Sequence, residues 1–129
     1  MKLRFFLVSD AAAISQDGKV IIHGVFDRIT VVKQPSKEHP IVHPHAAVVY
    51  EVCGVDKTDV RVKIELRKAD TNELLYLYPE VVFSVTEQAK IGGVLDGHII
   101  LPFLGEYDFV LVVDGTEVGR TSFNVVLKK

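Results

Sequence analysis

Val60-Arg61-Val62-Lys63-Ile64-Glu65-Leu66-Arg67 puts every apolar side chain on one face and every charge on the other. A period of two is the geometry of a strand with one face on a core and one on water. A helix, with its period of 3.6, cannot sort these residues that way. Outward from this stretch the pattern recurs between turn residues. Asp17-Gly18 and Asp114-Gly115 are two-residue hairpin signals, because tight primed turns demand positive φ.

The same reading predicts strands over residues 3–9, 19–32, 46–53, 60–68, 74–85, 98–101, 107–113 and 118–128. Ala11-Ala12-Ala13 reads either as one helical turn or as a continuation of the first strand. Gly24 inside the second strand signals a bulge or a close backbone approach. Pro35, Pro40 and Pro44 make residues 34–44 a loop. Gly54 to Asp59 and Asp70 to Glu73 read as polar turns. Pro79 interrupts its strand and assigns it to an edge or a bulge. Gly92-Gly93 and Asp96-Gly97 make residues 86–97 a weak region. About eight strands, short connections and no amphipathic helix predict an all-β fold, an antiparallel two-sheet β-sandwich. The face of residues 107–113 that carries Val110 and Val112 is apolar like its opposite, so that strand is central or meets a partner chain.

Two segments carry a resemblance. They are Asp17-Gly18-Lys19-Val20-Ile21-Ile22-His23-Gly24-Val25-Phe26-Asp27-Arg28-Ile29 and Gly105-Glu106-Tyr107-Asp108-Phe109-Val110-Leu111-Val112-Val113-Asp114-Gly115, with Val42-His43-Pro44 between them. Together they resemble a bacterial family of all-β proteins of about this length, a domain of unknown function. The resemblance implies fold and bacterial origin, and brings no activity, cofactor or catalytic residue. A looser likeness is to immunoglobulin-like sandwiches, through Tyr107 after Gly105, although there is no Trp and no cysteine pair. A C2-like sandwich has similar size and strand count. Its calcium chemistry needs converging aspartates, whereas Asp56, Asp59, Asp70, Asp96 and Asp114 stand singly at turns.

The chain has 129 residues, 48% hydrophobic and 25% charged, which suits one domain that buries roughly two thirds of its unfolded surface. A net charge of -2 argues against a dedicated nucleic-acid binder. Cys53, the single cysteine, excludes an intrachain disulfide and fits a reducing, cytoplasmic setting. Met1 to Val8 faintly resembles a signal peptide, but its apolar run is short and Asp10 follows it, so a first strand is the expectation. No stretch reaches the roughly 18 apolar residues of a membrane helix.

Few residues suggest chemistry. His43 and His45, two apart, would leave the same face of an extended segment and with His39 could hold a metal such as zinc. His23 reads as a histidine at the core's edge with a backbone partner. Arg28 could grip a carboxylate in a small-ligand mouth between the sheets. Arg61, Lys63, Arg67 and Lys68 form a basic strip interrupted by Glu65, read chiefly as a solvated face with cross-strand ion pairs. Tyr76 and Tyr78, beside Pro79, could form an interface. A nucleophile elbow, a phosphate loop and a glycosidase carboxylate pair are missing from the sequence. The expectation is a non-enzymatic protein-interaction or structural module without a cofactor. It would act through self-association, as a homo-oligomer, or through a protein partner, with metal binding and small-ligand binding as alternatives.

Overall fold

In a computed structural model that describes residues 1–17, 19–55, 59–84 and 89–129, the chain folds into two packed β-sheets without a helix. The deciding segment is strand β5, Asp59–Lys68, where Val60, Val62, Ile64 and Leu66 are buried and the intervening side chains are not. Before it come β1 (Lys2–Ile14), β2 (Val20–Val25), β3 (Arg28–Val31) and β4 (Ile41–Val55). After it come β6 (Leu74–Leu77), β7 (Val81–Ser84), β8 (Ala89–Leu101), β9 (Gly105–Val113) and β10 (Thr116–Leu127). One sheet has the order β2-β1-β4-β8. The other has the order β3-β10-β9-β5-β6, with β7 also paired to β5.

The all-β, two-sheet expectation holds, with differences that have local causes. The segment read as one strand over 19–32 is two strands in different sheets. β2 pairs with β1, then the chain crosses at Phe26-Asp27 and β3 lies parallel to β10. The pairing is therefore not wholly antiparallel. Gly24 allows the close approach that its sequence suggested, since a Cβ there would collide with the Asp10 carboxylate. Ala11-Ala12-Ala13 continues β1, opposite His23, Ile22 and Ile21. Pro44 lies inside β4 rather than in a loop, and the β4–β8 register shifts between His43 and Ala46. Such a shift is where a residue without an N–H can be accommodated. The region read as weak is largely strand: β8 pairs with β4 from Val55↔Ala89 to Ile41↔Leu101. The hairpin at Asp114-Gly115 has φ of +48° and +81°, the primed turn its sequence predicts. Gly18, most of the 54–59 turn including Asp56, and residues 85–88 lie outside the described residues.

The core lies between the sheets. Tyr107 stacks on Phe123 with ring centroids 5.3 Å apart, and Phe109 meets the same ring at 5.5 Å. Tyr107 is fully buried, yet its hydroxyl is paired twice. It donates to the Phe103 carbonyl at 2.6 Å and accepts from the Phe103 N–H at 2.8 Å. That pair of bonds ties the loop before β9 to the strand's first core residue.

The outer side of β9 is covered by the protein's own charged residues. Arg120 and Glu65 are the cross-strand neighbours of Val110, which is buried. Arg120 binds Asp108 at 3.2 Å and Glu117 at 2.8 Å, Ser122 donates to Asp108 at 2.6 Å, and Arg67 binds Glu65 at 2.9 Å. The two-sided apolarity of this strand is therefore that of a central strand, and needs no partner chain.

Removing the Tyr107 hydroxyl leaves the buried Phe103 N–H and carbonyl without their partner. Tyr107→Phe is expected to destabilise the protein by about 1–3 kcal/mol in urea unfolding. A change within measurement error would show that the corner is not structural.

Candidate functional site

Pro79 decides the site. Leu77 pairs with Glu65 and Val81 with Val62, so Tyr78, Pro79 and Glu80 stand opposite only Lys63 and Ile64. The Tyr78 N–H reaches the Ile64 carbonyl at 3.0 Å, so Pro79, the next residue, stands where its missing N–H would point away from β5. The expected edge strand is thus two short edge strands, β6 and β7, with a bulged segment between them.

Across from this break lies β8, the edge of the other sheet. Gly93 points inward there, and Tyr50 fills the space that its missing side chain leaves. A Cβ on Gly93 would lie 2.5 Å from the Tyr50 hydroxyl oxygen. Between the two edges a slot of about 210 Å³ opens, lined among others by Tyr50, Tyr78, Pro79, Phe83, Gly93 and Leu95. Burial pushes the Tyr50 phenol up to about 12. Tyr78 is also pushed up to about 12, by burial first and by neighbouring Tyr76 second. Both phenols are therefore neutral hydrogen-bond donors at ordinary pH. Neither finds a hydrogen-bond partner among the described residues. Among the described residues that line the slot there is no carboxylate, imidazole, amine or thiol.

Outside the slot the same side is apolar. Leu74, Tyr76, Leu77, Val81 and Val82 are each 45–51% exposed. Tyr76 packs edge-on against Tyr78, with centroids 4.6 Å apart. By their pairing, Leu74, Leu77 and Val82 lie on the outer face beside Arg67, Glu65 and Arg61, and Tyr76 and Val81 on the inner face beside Leu66 and Val62.

The other candidate residues lie elsewhere. His39 is exposed in the loop after β3, His43 is half-buried at the end of the core near Phe26, and His45 is exposed beyond the register shift. The bulge breaks the alternation that would have aligned His43 and His45. Among the described residues, no three His, Cys, Asp or Glu side chains gather closely enough to hold a metal ion. The His43 Nε2 atom is buried without a partner. His23 is exposed on β2 rather than at the core's edge. Arg28 is exposed on β3, the far edge of its sheet from the slot, so the structure does not bring it to that mouth. Cys53 is half-buried.

The basic strip is matched by acids at its own position. Glu80, carried on the Pro79 bulge, binds Arg61 at 2.7 Å and Lys63 at 3.5 Å. Arg67 binds Glu65, and Lys68 lies 3.9 Å from Asp70 and over the Phe103 ring at 4.5 Å. Sequence reading flagged Tyr76 and Tyr78 beside Pro79 as one candidate interface, and Gly92-Gly93 apart from them. Their convergence, together with Tyr50 and Phe83, is tertiary and had no signal in one dimension.

Residues 4–126 match DUF6941, a family of unknown function. The chain belongs to this family. The match covers nearly the whole fold, from β1 into β10, so both sheets and the slot lie within the family region. No curated protein matches the chain.

Two of the ion pairs make a pH prediction. The hydrogen bond from Arg61 holds Glu80 below the ordinary carboxylate value of 4.5, and that from Arg120 does the same for Glu117. A lowered folded value contributes stability that is present above the ordinary value and lost as pH falls through the lowered one. Stability should therefore fall below about pH 4.5, and the fall should be shallower in an E80Q/E117Q variant. Parallel thermal-unfolding profiles of the two proteins between pH 5 and 2 would contradict this.

Proposed function

We propose that this DUF6941 protein is a non-enzymatic protein-interaction module that docks through the side formed by β6, β7 and the edge of β8. The observation that carries the reading is the exposure of Leu74, Tyr76, Leu77, Val81 and Val82 on two short edge strands beside an open apolar slot. Aromatic anchors beside a pocket and an unpaired strand edge are the parts from which interfaces are built. The apolar side chains that line the slot among the described residues support a binding role. Arg61, Lys63 and Arg67, already paired with acids, serve as the polar margin of this side. The buried hydroxyl corner at Tyr107 supports an immunoglobulin-like kinship over a C2-like one. A single unpaired thiol supports a cytoplasmic setting.

A second reading has its own observation. The 210 Å³ slot, with the Tyr50 and Tyr78 hydroxyls unpaired among the described residues, suits a small apolar ligand that accepts a hydrogen bond. A molecule that co-purifies and is released by denaturation would favour it.

A photo-crosslinking residue at Val82 in cells is expected to give a discrete protein adduct, and one at Thr30 on the opposite edge is not. Equal adducts at both positions, or none at Val82, would contradict the interaction reading.

A further inference from the structure

The edge of β8 carries its own complement. Even-numbered residues from Lys90 to Asp96 lie on the outer face, as the Lys90–Glu51 ion pair at 3.3 Å marks, and odd-numbered ones face the core. Suppose two copies pair these edges antiparallel about a two-fold axis normal to the sheet. Inner residues then face inner residues, so only registers with an even sum of residue numbers are possible. Among those, the register centred on Gly93 sets Lys90 opposite Asp96 of the second copy, twice. It also sets Val94 opposite Gly92 on the outer face and Ile91 opposite Leu95 on the inner face. Moving the centre to Gly92 or Val94 loses both charge pairs and, at Val94, sets two valines against each other.

From this charge and size complementarity we propose that the protein forms a two-fold dimer by pairing β8 with β8 of a second copy, centred on Gly93. The proposal rests on the interaction reading above and names its partner: another molecule of this chain. Several features converge on it. Asp96 is exposed and has no ion pair among the described residues, whereas Lys90 is 56% exposed and free to bridge Glu51 and a second carboxylate. β8 pairs only with β4 among the described residues, leaving a long edge of backbone donors and acceptors. The axis passes beside the slot, so the exposed β6–β7 side chains of the two copies would approach each other in the second layer. The eight strands of the joined sheet would then remove one hydrophobic edge from each monomer.

The test uses charge complementation in sedimentation equilibrium on the full chain. Wild type should be dimeric. Lys90→Asp places Asp opposite Asp twice, and Asp96→Lys places Lys opposite Lys twice. Each variant should dimerise about tenfold more weakly with itself. Mixed together, the two variants present only opposite pairs and should form a one-to-one heterodimer. Circular dichroism checks that each is folded. Should Lys90→Asp fail to fold for loss of its Glu51 partner, Asp96→Lys leaves that pair intact and carries the test through loss of its own dimer. A monomeric wild type, unchanged self-association of Asp96→Lys, or a mixture of folded variants that stays monomeric would overturn the proposal. A monomer whose Val82 probe captures a different protein would overturn this dimer while leaving the interaction reading standing.

Discussion

Between Leu77 opposite Glu65 and Val81 opposite Val62 the chain beside β5 carries one residue too many, and Pro79 stands within that bulge. The consequences spread from that one extra residue. The edge splits, three residues bulge opposite two, and Glu80 is carried out to meet Arg61 and Lys63. The two sheets no longer close against each other on this side. Tyr78 is left half-buried with its ring against Phe109, at 6.2 Å between centroids, and its hydroxyl in the slot. On the facing sheet Gly93 makes room for Tyr50. A sandwich with both edges fully laddered would have buried these phenols or pushed them out.

Elsewhere the same sheets are closed by ordinary means. The aromatic stack of Tyr107, Phe109 and Phe123 fills the centre, and the outer side of β9 is covered by the Arg120–Asp108–Glu117 and Arg67–Glu65 pairs. On the outer side of the other sheet Glu51 is nearly buried, yet Arg4 and Lys90 each lie 3.3 Å from it. Charges there stay compensated when removed from water.

What sequence reading could see was whatever is decided between neighbours in the chain. The alternation of Val60 to Arg67, the turn at Asp114-Gly115 and the break at Pro79 are local and survive unchanged. It missed what distant contacts decide. Three glycines and an aspartate weaken residues 92–97 in propensity, but β4 supplies thirteen-residue β8 with a ladder along its whole length. Tertiary context overrides propensity in such a strand. The crossing of the chain at Phe26-Asp27 falls where Asp27-Arg28 interrupts the apolar run, a mark that does not by itself tell a polar stretch of one strand from a change of sheet. The register shift at Pro44 put His43 and His45 in different surroundings, which undid the spacing argument for a metal site. The slot was not legible as one site, because it joins residues from β4, β5, β7, β8 and the β6–β7 break.

The central claim is that the molecule meets its partner through the β6, β7 and β8 side. Amide hydrogen exchange measured residue by residue at rising protein concentration tests it most directly. Slowing of exchange confined to β8 and to residues 74–84 is the predicted result. Slowing at β2 and β3 instead, or spread evenly over the outer faces, would contradict it.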